Sequence, residues 1–293
     1  MRDKQSLKCW LALVGLASLP ALSGAAETPN ADQALKELQK GNARFARGKM
    51  LQLRRDQARI EETAKGQHPF VTVLTCSDSR LPPEIVFDQG LGDVFTIRVA
   101  GNVADVDEIG SIEYGVGHLR TPLCVVLGHT SCGAVTAVVK GAVVHGNIPA
   151  LVDNIAPAVE QARHQHPEMT EDQLIPAAIE ANVFQSIADL LTNSEEVRDL
   201  VIGGKLRVLG AVYDVQNGRV RWLGVHPGQA ALLASAPVPH GVAATPAPTH
   251  AEHAEEKAAA AKPPEPAAQH PPKPAEPAKH EEPATQERGH AGH

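Results

Sequence analysis

Apolar residues in this chain fall into short blocks of two rhythms. Between Ala31 and Lys65, the residues Ala34, Leu35, Leu38, Phe45 and Ile60 recur at helical spacing among many charges, predicting one or two amphipathic helices in an N-terminal helical arm. After Pro69, the run Phe70-Val71-Thr72-Val73-Leu74-Thr75 is apolar and β-branched, the mark of a buried strand, and it ends at Cys76. Val94 to Val99 reads as a second strand, closed by a turn at Gly101-Asn102. Helical spacing from Ile109 to Leu119 precedes a third strand, Leu123 to Gly128, which ends at His129. Helices are expected from Cys132 to Lys140, Ile148 to His164 and Glu171 to Asn193. Strands from Leu206 to Tyr213 and from Val220 to Val225 follow, joined at Asn217-Gly218. Alternating strands and helices predict an α/β domain with a mainly parallel central β-sheet flanked by helices, and place binding sites at the carboxyl ends of strands. Cys76 and His129 both stand at such an end.

This pattern is absent from the two ends of the chain. Met1 to Lys8 carries Arg2, Lys4 and Lys8, then an apolar run reaches about Leu22 and small residues occupy Ser23, Gly24, Ala25 and Ala26. That order predicts a signal peptide over 1–26, since the run is short of the roughly 20 apolar residues of a membrane span. Beyond Leu233 there is no Leu, Ile, Phe, Tyr, Trp or Met, while 12 of the 23 prolines and 7 of the 14 histidines fall there. Such a stretch has too little to bury to offset the entropy of ordering, so 234–293 is expected to be a disordered tail rich in Pro, Ala and His. It serves as a solvated spacer or, in the functional alternative, as a weak zinc-gathering or proton-buffering arm. One folded domain, 27–233, remains. The net charge of −7 includes −3 from the tail, so no strong basic face is implied and nucleic acid is excluded as an expected partner.

Cys9 leaves with the signal segment, and the three remaining cysteines, Cys76, Cys124 and Cys132, do not form an obvious disulfide framework for an exported protein. Cys124 lies inside an apolar strand and reads as a buried core thiol. His118, His145, His164 and His166 sit on or beside expected helices, where surface or capping roles suit them. Cys76-Ser77-Asp78-Ser79-Arg80 taken alone reads equally well as a turn and helix cap. His129-Thr130-Ser131-Cys132-Gly133-Ala134 has His and Cys three apart around a turn into a helix, a spacing that can grip one metal ion. The two segments together are more specific, because neighbouring parallel strands bring their ends side by side. Two thiolates and an imidazole suit zinc and leave a fourth position for water, as catalytic sites do.

Cys76-Ser-Asp78-Ser-Arg80 with His129-x-x-Cys132-Gly resembles the paired signature of β-class carbonic anhydrases. Gly92-Asp93-Val94-Phe95, Arg98-Val99-Ala100-Gly101-Asn102, Ile112-Glu113-Tyr114 and Gly210-Ala211-Val212-Tyr213-Asp214 resemble bacterial members of that family. The resemblance implies one zinc per chain on Cys76, His129 and Cys132, a catalytic dyad of Asp78 and Arg80, and reversible hydration of carbon dioxide to bicarbonate by zinc-bound hydroxide. In that picture Arg80 holds Asp78 ionised; released, Asp78 becomes a fourth ligand in a closed state. The regulatory form of that state is associated with a Trp where Val73 stands, so an open site is expected at neutral pH. Gln67, Phe95, Ala100 and Tyr114 are implied near the substrate, some from a neighbouring subunit, and the Gly133 N–H near the developing bicarbonate. The family's usual Val at the Ala100 position makes the pocket shape a point to check. A homodimer or a multiple of dimers in the periplasm or outside the cell is expected, with no stable membrane insertion after signal cleavage. The alternatives are hydrolysis of carbonyl sulfide or carbon disulfide on the same scaffold and, in a different class, a noncatalytic zinc carrier. Export adds a further expectation: without zinc, Cys76 and Cys132 join as a disulfide.

Overall fold

The computed structural model describes residues 29–235. The expected signal segment and all but the first two residues of the expected tail lie outside them.

Helix α1 (Ala31–Phe45) starts at Asn30, whose side chain accepts from the Gln33 N–H while Gln33 reaches back to the Asn30 N–H, and it buries Ala34 and Leu38. Helix α2 (Gln57–Thr63) follows, so the arm is two helices. Buried Asp88 ties this arm to the domain. It accepts hydrogen bonds from Arg44 Nε at 2.6 Å and from the Leu51 and Gln52 N–H groups at 2.9 and 3.1 Å. Asp93 does the same for Arg54 and Arg59.

Strand β1 (Val71–Thr75) is buried along its whole length. It is followed by the short helix α3 (Pro83–Val86), strand β2 (Val94–Arg98), helix α4 (Val106–Glu113) and strand β3 (Leu123–His129). Next come α5 (Gly133–Val139), α6 (Ile148–Asp153), α7 (Ala156–Gln165), α8 (Glu171–Asn193) and α9 (Glu195–Ile202). Strands β4 (Arg207–Tyr213) and β5 (Val220–Gly224) and helix α10 (Gln229–Ala234) complete the chain described.

The five strands form one sheet in the order β2-β1-β3-β4-β5, parallel throughout except for the last pair. β1 and β3 are central and covered on both faces, which explains their unbroken apolar runs. Each fully buried Leu or Val there contributes about 1.5–3 kcal/mol. Helix α8 lies across β3 and β4. Its close approach requires Gly128, where a Cβ would stand 2.7 Å from a Val183 methyl.

Three differences from the sequence expectation have local causes. The helix expected from Ile148 to His164 is two helices, α6 and α7. Pro157, in the first turn of α7, has no N–H to carry a helix through this point, and the intervening Ile155 is fully buried. The helix expected from Ile109 begins earlier, at Val106, because Asp105 and Glu108 form a capping box, and it widens into a π-helical turn over Tyr114–His118. Helix α9 went unforeseen because Ser194, which accepts from the Val197 N–H, restarts a helix one residue after α8 ends.

Candidate metal centre

The parallel pairing of β1 with β3 sets Thr75 beside Leu127, so Cys76 emerges next to the end of β3, where His129 is the last residue. From there the chain turns through Ser131, in the left-handed region at φ 57°, and Cys132 caps α5. This turn is pinned to β4: the Thr130 N–H donates to the Tyr213 carbonyl at 2.9 Å, and the Val215 N–H to the Thr130 hydroxyl at 3.0 Å. The result gathers Cys76, His129 and Cys132, all buried, with one donor atom of each within 4.8 Å of the others.

His129 Nδ1 lies 3.0 Å from the Thr130 carbonyl, which assigns the proton to Nδ1 and leaves the Nε2 lone pair free. Nε2 is buried and has no hydrogen-bond partner. An acceptor left this way inside a protein is costly unless a ligand meets it. The Cys76 thiol is held below its ordinary value, first by a hydrogen bond from Cys132 and further by the Gly101 N–H, against the opposition of burial. Cys132 is driven up by that same Cys76 neighbour and by burial. The two shifts run in opposite directions because the sulfurs share a proton, and a cation in its place satisfies both sulfurs and the imidazole. Zinc fits this donor set, since two sulfurs and an imidazole nitrogen gathered within 4.8 Å of one another are the ligand types it prefers.

Asp78 faces the point where the donors converge, its Oδ2 3.9 Å from His129 Nε2. Arg80 holds it in a fork, Nε on Oδ1 at 2.9 Å and Nη2 on Oδ2 at 2.7 Å, while the Arg80 backbone N–H donates to Oδ1 at 3.0 Å. These bonds keep the Asp78 carboxyl well below the usual carboxylate range. Arg98, which sequence reasoning did not single out, grips the segment from beneath: its guanidinium donates to the Cys76 carbonyl at 3.3 Å and the Asp78 carbonyl at 2.6 Å. The available signal was its position, closing β2 beside Thr75, the residue before Cys76.

Ala100 and Gly133 border the centre, Ala100 next to Gly101, which donates to Cys76 Sγ at 3.3 Å, and Gly133 next to Cys132 as the exposed first residue of α5. The other expected pocket residues are not brought to it within one chain. Phe95 pairs with Thr72, which lies four residues, or about 13 Å of strand, before Cys76. Its ring lies 5.8 Å from that of Tyr114, which is 46% exposed and stacks on His118. Gln67 precedes β1 and is exposed. Cys124 is a core thiol in the middle of β3, pushed up to about 12 by burial. His118, His145 and His164 are exposed and His166 half-buried.

A model of the carbonic anhydrase family matches residues 71–220, from the first residue of β1 to the first of β5. The chain belongs to the carbonic anhydrase family. Carbonic anhydrase 2 of Mycobacterium tuberculosis is 36% identical over 190 residues, which cover 64% of this chain and 89% of that protein. Among solved structures, the β-carbonic anhydrase CafA of Aspergillus fumigatus is similar with a TM-score of 0.56 at 29% identity, covering 71% of this chain and 99% of that one. A tetrameric β-carbonic anhydrase of Sordaria macrospora reaches 0.50 at 27%, covering 57% and 86%. The fold of this carbonic anhydrase is that of the β class.

Proposed function

We propose that the chain hydrates carbon dioxide reversibly to bicarbonate and a proton, with one zinc held by Cys76, His129 and Cys132. The observation that carries this reading is the convergence of the three buried donors on a point that the Asp78 carboxylate also faces. Bound there, zinc supplies the Lewis acidity that makes water nucleophilic near neutral pH.

The chain's own residues do the rest. Asp78 is ionised at any working pH, so it accepts a hydrogen bond from the attacking water and orients it without taking the proton, which passes to buffer. Arg80 keeps both carboxylate oxygens engaged, which supports an open site in which Asp78 is not a ligand. His129, locked by Thr130, and the two cysteines would hold the ion, with Asp78 the nearest further carboxylate, 3.9 Å from His129 Nε2.

A homo-oligomer fits the incomplete pocket: Phe95, Tyr114 and Gln67 of one chain are available to a neighbour's centre. The tetrameric Sordaria macrospora relative supports that reading. Export to the periplasm or beyond rests on the sequence of 1–26 alone, and recovery of chain lacking those residues in the periplasmic fraction tests it.

Stopped-flow hydration by zinc-loaded protein, compared with Asp78→Asn, tests the activity. The expected outcome is fast hydration at one zinc per chain and a loss of about 100-fold or more in the variant with zinc retained. Absence of hydration by the fully loaded parent from neutral to alkaline pH would overturn it.

A further inference from the structure

Helix α8 is the long core helix of the domain, and an apolar residue is expected at each of its buried positions. Two of them are polar instead. Asn182 is 1% exposed and Ser186 1% exposed, one turn apart on the face toward the turn Ala100–Asn102. Asn182 Nδ2 donates to the Gly101 carbonyl at 2.7 Å, and the Ser186 hydroxyl shares its one proton between the Asn102 carbonyl at 2.8 Å and the Asn182 carbonyl at 2.9 Å. The Gly101 and Asn102 carbonyls are successive in the segment whose Gly101 N–H donates to Cys76 Sγ.

That segment is closed by only one backbone bond of its own, from the Asn102 N–H to the Val99 carbonyl at 3.1 Å. Gly101 and Asn102 both lie in the left-handed region, at φ 75° and 49°, and Gly101 is wedged so tightly that a Cβ would stand 2.6 Å from Ile155 Cδ1 and 3.3 Å from Ala134 Cβ. Asn182 is also expensive to keep, because its Oδ1 has no hydrogen-bond partner, and neither has Asn102 Nδ2. A buried amide with half its capacity unmet is best explained by what its other half does.

We infer that Asn182, with Ser186, is a positioning residue of the metal centre: it fixes the Gly101–Asn102 turn so that the Gly101 N–H is aimed at the Cys76 sulfur. The inference rests on the zinc reading of that centre. A directed N–H orients the thiolate and draws off part of its charge, and loss of such outer partners weakens metal binding about 10–100-fold. Ser186 adds a smaller share, since it acts one residue further from the sulfur.

The test follows zinc release from loaded full-length protein to a chelating dye. Parent, Asn182→Ala, Ser186→Ala and Leu190→Ala are compared, the last truncating a fully buried α8 side chain with no bond to the turn. Thermal midpoints are read alongside. Asn182→Ala is expected to release zinc at least tenfold faster than parent, and Ser186→Ala faster by a smaller factor. Leu190→Ala is expected to release at the parental rate despite a lower midpoint. In the cobalt-substituted proteins the sulfur-to-metal charge-transfer band should shift for Asn182→Ala and stay in place for Leu190→Ala. Release that tracks the midpoint across all variants would overturn the inference, as would parental release and an unmoved band in Asn182→Ala. If Asn182→Ala does not fold, parental behaviour of Ser186→Ala is the overturning result. A parent that holds no zinc tightly would instead refute the metal reading itself.

Discussion

Arg80 and Asp78 interact through three hydrogen bonds confined to three residues of chain, so the dyad's effect is separable from the fold around it. The folded Asp78 carboxyl lies below its unfolded value of about 3.9. Such a group stabilises the fold fully above the unfolded value, and that stabilisation is lost as pH falls toward the folded one. Arg80→Ala should therefore lower the thermal midpoint most near neutral pH, with the gap to parent closing below about pH 4. Equal gaps at pH 7 and pH 3 would place the Arg80 contribution elsewhere. The sulfurs carry a second prediction. With the Cys76 thiol lowered and Cys132 beside it, oxidised glutathione should convert zinc-free protein to a Cys76–Cys132 disulfide. The Cys76 thiolate attacks one glutathione sulfur and expels the first glutathione thiolate; Cys132 then gives its proton to that thiolate or to solvent, attacks the Cys76 sulfur of the mixed disulfide and expels the second. Mass analysis should find Cys124 still free, because it is buried and its thiol is held up to about 12, while zinc-loaded protein keeps all three. Two free thiols at Cys76 and Cys132 after oxidant exposure of zinc-free protein would count against this. At this scale the sequence was most informative. The spacing of Cys76, Asp78 and Arg80 is local, as is that of His129 and Cys132, and local chemistry is legible without a fold.

Among the elements, strands were easier to read than helices. β1 and β3 are covered on both faces, so their apolar runs are continuous and unmistakable. The break between α6 and α7 was hidden because both halves keep an apolar face. Pro157 was the signal in the sequence, and the packing of Ile155 against Gly101 shows where the chain bends. That contact makes Gly101 the sensitive point of the element around it. Gly101→Ala puts a side chain where the left-handed backbone costs about 1–2 kcal/mol, and it must also displace Ile155. The expected outcome is a lower thermal midpoint together with faster zinc release, because the Gly101 N–H leaves Cys76. A lower midpoint with unchanged release would separate the turn from the metal centre.

For the whole molecule, the shared pocket proposed above turns on where its residues lie. Tyr114 and Phe95 lie at the opposite end of the strands from Cys76, and exposed leucines cluster where the arm meets the loop before β2. The Leu91 N–H donates to the Arg54 carbonyl, which brings exposed Leu91 beside exposed Leu53. Replacing both by Asp should shift the sedimentation coefficient toward a monomer, lower hydration per zinc by at least tenfold on the scale of lost substrate positioning, and leave one zinc per chain. Full activity in a proven monomer would reject the shared pocket. By itself the sequence determined the α/β class, the strands that end at Cys76 and His129, and the residue types of the centre, because each depends on periodicity or spacing within a few residues. The tertiary structure alone decided that three donors converge, that His129 presents Nε2, that Arg98 holds the Cys76 and Asp78 carbonyls, and that Asn182 reaches Gly101 from 81 residues away. Those are contacts through space between distant segments, set by how the helices pack on the sheet, and no spacing along the chain encodes them.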